Sequence, residues 1–168
     1  SGKVLLNYTG HRDEPWAAAF SPDGQRIVTA GSNGTARVWA VATGEDVFTL
    51  KGHTSQVKGI DYSRNGRWIV TGSEDKAARV WEAAGGNLLR TLEGHTGATR
   101  TVAFSPDGKR IVSGSEDMTA KVWETASGNE LVTLKGHRLG IRSVAFSPDG
   151  QRIVTGSWDR TAIVWEAA

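Results

Sequence analysis

Four histidines carry most of the chemistry this sequence could perform. His11, His53, His95 and His137 each follow a glycine and stand 42 residues apart. Behind each one a Thr or Ser recurs at a fixed distance, and in three cases of four so does an Asp. An imidazole between a hydroxyl and a carboxylate is the constellation of a hydrolytic triad, in which His takes the hydroxyl proton and the carboxylate orients it. Four histidines could also surround a metal ion. The spacing argues against both. A catalytic centre or a metal site is built once, whereas this trio returns unit after unit with a Trp attached. The repetition therefore predicts a structural role, with no catalytic residue, no metal site, no cofactor and no enzyme. No Gly-rich phosphate loop opens a helical pattern, and "AGSNG" reads as a hairpin turn.

The elements that position these residues follow from the period. The Val-Trp pairs end at Trp39, Trp81, Trp123 and Trp165, in step with the histidines and with no insertion or deletion. Units 1–42, 43–84, 85–126 and 127–168 fill the chain as one domain. Within a unit, "AFSPDGQRIV" joins two apolar or β-branched runs through a turn in which Pro presets φ and Gly takes a positive φ. A second turn follows at "SNG", "SED", "SED" and "SWD", then a run such as "TAKVW", then "ASG" and "NELVTL". Each unit thus holds four short strands and no helical periodicity. A four-stranded sheet this small cannot bury both faces alone, so the sheets must stack around an axis. The expected fold is all-β, a β-propeller of four-stranded antiparallel blades with four repeats per chain.

Composition narrows the partners. Of the 168 residues, 20 are Lys or Arg and 18 Asp or Glu, interspersed, so the net charge of +2 offers no basic stripe for nucleic acid. The absence of cysteine excludes a disulfide framework, a thiolate zinc site and a cysteine nucleophile. No apolar run approaches the length of a membrane span. The chain reads as soluble, without a membrane partner, and as cytoplasmic if natural; nothing fixes the compartment.

Gly-His, Ser-Pro-Asp-Gly, Ser-x-Asp and Val-Trp-Glu at constant spacing resemble the WD-repeat β-propeller family along the whole chain. The resemblance implies a buried hydrogen-bonded tetrad in each blade: His11, Thr29, Asn33 and Trp39; His53, Thr71, Asp75 and Trp81; His95, Ser113, Asp117 and Trp123; His137, Thr155, Asp159 and Trp165. A buried imidazole needs a partner at each nitrogen, and a carboxylate on one side with a hydroxyl on the other supplies both. Asn33 departs from the pattern and removes a charge.

The resemblance also implies that a sequence repeat runs as strands d, a, b, c and that its first strand completes the preceding blade. Residues 1–10 are then an outer strand d, and the strands within residues 143–165 lack one. Pairing of the two ends between chains, with a shallow angle between blades, predicts a homodimer of eight blades. A closed four-bladed monomer and a fragment of a longer chain are the alternatives. Ligand residues are expected where the units differ, on the top face at Trp16, Lys58, Glu74, Arg100, Glu116, Arg142 and Trp158. Trp16 and Trp158 would meet across the chain junction, as a peptide anchor or simply as junction packing. Unbroken periodicity favours a self-assembling structural scaffold, designed or amplified from one repeat, with no evolved ligand. The alternative is a natural module that binds a protein or peptide on that face.

Overall fold

Fifteen strands and no helix make up the computed structural model, which describes residues 2–5, 7, 8 and 14–167. The first sheet is β1 (Pro15–Phe20), β2 (Arg26–Gly31), β3 (Thr35–Ala40) and β4 (Asp46–Lys51). The second is β5 (Val57–Tyr62), β6 (Trp68–Ser73), β7 (Ala78–Glu82) and β8 (Leu88–Leu92). The third is β9 (Thr99–Phe104), β10 (Arg110–Ser115), β11 (Thr119–Glu124) and β12 (Glu130–Lys135). The fourth has three strands, β13 (Ile141–Phe146), β14 (Arg152–Ser157) and β15 (Ala162–Glu166). Within every sheet, neighbours in sequence pair antiparallel, the pattern of four β-propeller blades in series.

Turn chemistry explains why each first hairpin forms. Ser21 Oγ donates to Asp23 Oδ1 at 2.5 Å and accepts the Arg26 N–H at 2.9 Å, while Gly24 sits at φ +69°. Ser105 with Asp107 and Ser147 with Asp149 repeat the device. In the second blade Asn65 replaces the Asp, accepting from Ser63 Oγ at 2.8 Å and from the Arg67 N–H at 3.0 Å. The polar side chains thus close the turn locally, and the flanking strands inherit their register from it.

The core lies between blades. One cluster joins Val28, Val38 and Leu50 of the first blade to Tyr62, Ile69 and Trp81 of the second. Two more repeat it at the next junctions: Val70, Val80 and Leu92 against Phe104, Ile111 and Trp123, then Val112, Val122 and Leu134 against Ile141, Val144 and Ile153. Each valine so covered contributes roughly 1.5–3 kcal/mol relative to exposure. Small Ala36, Ala78 and Ala120, at most 1% exposed, let the sheets approach. Among the described residues no cluster joins the fourth blade to the first. Accordingly Val154 and Val164, whose counterparts are buried, are 41% and 64% exposed, and Phe20 is 63% exposed.

Residues 2–5, 7 and 8 lie in no strand, although the corresponding stretches 46–51, 88–92 and 130–135 are β4, β8 and β12. An outer strand exists only by pairing, and among the described residues this segment pairs with no strand, while β15 keeps an unpaired edge. Tyr8 nevertheless rests against Trp39, with ring centres 5.6 Å apart.

Candidate functional site

Among the described residues, three complete tetrads stand at equivalent places. The turn after the second strand of each blade holds the acid, and the loop that enters the first strand holds the imidazole. His53 Nδ1 lies 2.8 Å from Asp75 Oδ2 and His53 Nε2 lies 2.7 Å from Thr71 Oγ1, which accepts the Trp81 indole N–H at 2.8 Å. His95 joins Asp117 and Ser113 at 2.8 Å each, with Trp123 donating to Ser113 at 2.8 Å. His137 joins Asp159 and Thr155 at 2.8 Å each, and Trp165 donates to Thr155 at 2.9 Å. In the first blade Trp39 donates to Thr29 at 2.7 Å, and Asn33 accepts from the Thr35 amide and hydroxyl. His11, placed in that tetrad by sequence, lies outside the described residues.

Electrostatics fixes the proton positions. Burial pushes His53 and His95 below the ordinary imidazole value, against the pull of Asp75 and Asp117, so the rings stay neutral. The Nδ1–H then donates to the carboxylate, and Nε2 accepts from the hydroxyl. Burial also raises the carboxyls of Asp75 and Asp117, but hydrogen bonds and charge outweigh it. For Asp75 these come from His53, the Thr54 amide and Arg79; for Asp117 from Thr119, His95 and the Thr96 amide; both are held at about 2. Asp159 is also lowered, chiefly by the Thr161 hydroxyl. The resulting trio has the connectivity of a hydrolytic triad without its access. Thr71, Ser113 and Thr155 are 0% exposed, and each oxygen is occupied by an indole N–H. Among the described residues no group of three His, Cys, Asp or Glu could hold a metal ion.

The first strands of all four blades converge on one mouth. Trp16, Lys58, Arg100 and Arg142, one from each of β1, β5, β9 and β13, line a cleft of about 160 Å³. Lys58 Nζ stands 3.1 Å from the centre of the Trp16 ring and donates to Gln56 Oε1 at 2.7 Å. Arg100 bridges blades by donating to Glu74 and Glu116, at 2.8 Å each. Burial lowers the Lys58 pKa; Glu74 opposes this, while Arg100 and Arg142 add to it. Trp158, 45% exposed, lies under the Arg142 guanidinium at 4.9 Å, on the blade at the other end of the series.

Sequence reasoning passed over Asp61, which stands where the other units carry Ala19, Ala103 and Ala145. Its carboxylate accepts the Phe104 N–H of the next blade at 2.8 Å, and burial pushes its pKa up. One acid among three alanines was the available signal.

Comparison with known proteins agrees with this architecture. The family model described as "WD domain, G-beta repeat" (WD40) matches residues 2–40, 44–82, 86–124 and 128–166. Periodic tryptophan protein 2 of Saccharomyces cerevisiae is 41% identical over 44 residues, which are 26% of this chain and 5% of that protein.

Proposed function

This chain belongs to the WD40-repeat family, and from that membership we propose that it is a non-catalytic protein-interaction scaffold that completes its propeller by self-assembly, two chains forming one eight-bladed homodimer. One observation carries the assembly: the two uncovered faces are the two halves of an internal junction. Val154 and Val164 are 41% and 64% exposed, whereas Val28, Val38, Val70, Val80, Val112 and Val122 are at most 1%. Phe20 is 63% exposed, whereas Tyr62 and Phe104 are 7%. A second copy offers each face its complement, twice over, in a two-fold symmetric ring. Eight blades, turning about 45° each, fall within the usual range for propellers. Residues 1–10 of each copy then supply the missing outer strand beside β15 of the other. Tyr8 already rests on Trp39, as Leu50 shares a core cluster with Trp81 one unit later. Equal unit lengths fit a repeat multiplied by nature or by design.

The test is light scattering on a sizing column across a dilution series. A species near twice 18.0 kDa that persists on dilution is expected. A compact particle of 18.0 kDa at every concentration overturns the dimer.

The mouth lined by Trp16, Lys58, Arg100 and Arg142 favours a second reading, in which the scaffold takes a peptide on this face. Aromatic and cationic side chains of this kind are common anchors, and Glu74, Glu116 and Trp158 frame them. Selection from a peptide library, repeated with Trp16→Ala and Arg142→Ala, tests it; equal enrichment by parent and variants rules this face out.

A further inference from the structure

The second unit departs from the others at one hairpin. Residues 62–67 read Tyr-Ser-Arg-Asn-Gly-Arg, where the first and last units read Phe-Ser-Pro-Asp-Gly-Gln. The changes add two guanidiniums, remove a carboxylate and add a phenol. None is needed for the turn, because Asn65 makes the same hydrogen bonds as the Asp it replaces.

These side chains face a cleft of about 480 Å³ between the first two blades, lined by Arg26, Tyr62, Arg64 and Arg67 with Asp23 and Glu82. The size suits a small ligand. The Tyr62 ring belongs to the junction core, and its buried hydroxyl has no hydrogen-bond partner among the described residues. Phe20, Phe104 and Phe146 fill this position in the other units, so packing does not require the oxygen. Burial raises the phenol to about 12, which keeps its proton in place to donate. Arg26 donates one N–H to the Ala83 carbonyl at 2.8 Å, and its planar fork carries further donors. One oxygen of each carboxylate is taken by a neutral donor, Asp23 Oδ1 by the Ser21 hydroxyl and the Gln25 amide and Glu82 Oε2 by Asn87 at 2.7 Å, and the Asp23 charge also acts on Arg26. Three guanidiniums therefore outnumber two carboxylates in the lining, around an unmatched donor.

We infer that this cleft binds a small oxyanion, the phosphate or carboxylate group of a ligand, which accepts the Tyr62 hydroxyl hydrogen bond and pairs with Arg64 and Arg26. Arg67 adds to the local positive potential. The cleft lies at the hairpin end of β1 and β5, the opposite end from Trp16 and Lys58, so it is independent of the peptide-binding reading and of the ring's closure.

Titration of the folded chain with inorganic phosphate, and separately with succinate, at constant ionic strength tests the site. The readout is the NMR shift of the backbone amides from Tyr62 to Arg67. Tyr62→Phe, Arg64→Pro and Arg67→Gln each install a residue that other units carry, so the variants are expected to fold, and melting curves check this. A saturable shift is expected for at least one anion, weakened about tenfold by Tyr62→Phe through loss of one hydrogen bond to a charged group. Saturation by phosphate alone assigns a phosphoryl ligand; saturation by succinate alone assigns a carboxylate. Shifts that rise without saturating for both salts, or an affinity unchanged in Tyr62→Phe, overturn the inference.

Discussion

Thr71 shows how much one atom carries. Its Oγ1 meets His53 Nε2 at 2.7 Å and the Trp81 indole nitrogen at 2.8 Å, in a site with no solvent. Thr71→Val keeps the shape but leaves two buried nitrogens unpaired, each costing about 1–3 kcal/mol. Urea unfolding should therefore register a loss of about 3 kcal/mol, and a loss under about 1 kcal/mol would show that the network does not hold the blade. Acid tests the same residues. His53 and His95 have folded pKa values below the unfolded 6.5, so the unfolded chain binds more protons in that interval and stability falls as pH drops below about 6.5. Asp75 and Asp117, held at about 2, add a second loss of the same sign as pH falls from about 4 toward 2. The melting temperature should thus descend in two stages; a flat profile between about pH 6.5 and 5 contradicts neutral buried rings. The tetrads were legible because their members recur at constant spacing. Asp61 and Tyr62 were not, since the Asp61 carboxylate finds a partner amide 43 residues away and the Tyr62 phenol finds none among the described residues.

At the scale of the strand, turn chemistry made the elements legible. Ser with Asp or Asn and a following Gly marked every first hairpin, and "NELVTL" became β12. Thr133 pairs opposite Lys121 on that strand and accepts the Lys121 ammonium at 2.8 Å. Thr133→Pro removes a backbone donor and should cost about 1–3 kcal/mol by thermal unfolding; a variant that melts with the parent would place Thr133 off the ladder. Contacts between elements were less legible. Gly114 and Gly156 occupy the same place in their units, yet a Cβ on Gly114 would stand 2.6 Å from Ile141 Cγ2, while one on Gly156 meets only Ser143 at 3.8 Å. Gly114→Ala should therefore lose about 1–3 kcal/mol through overpacking, and Gly156→Ala should leave the melting of the single chain unchanged. Only the neighbouring blade distinguishes the two glycines. The same dependence on a neighbour explains residues 2–5, 7 and 8, whose pattern matches an outer strand but which lie in no strand.

For the whole molecule, the stacking of four blades could be read from the period, because sheets this small must cover one another. The number in the ring could not, since curvature is the sum of packing at every junction rather than a property of any residue. Val122 and Val164 separate the two levels. Val122→Lys puts a charge into a site of 0% exposure and should abolish folding. Val164→Lys, at 64% exposure, should leave the strand signature intact while sizing shifts from twice 18.0 kDa to 18.0 kDa; a dimer that survives this change would place the interface elsewhere. In the proposed self-assembly the two uncovered faces make the chain a bifunctional monomer in the polymer chemist's sense, with a head that reacts only with a tail. Such a monomer has two products, a cycle or a growing filament. After the first head meets its tail, the second pair is tethered at an effective concentration on the order of millimolar. Cycles then dominate in dilute solution and filaments only where the free monomer exceeds that value, so concentration sets the product while the bond itself stays the same.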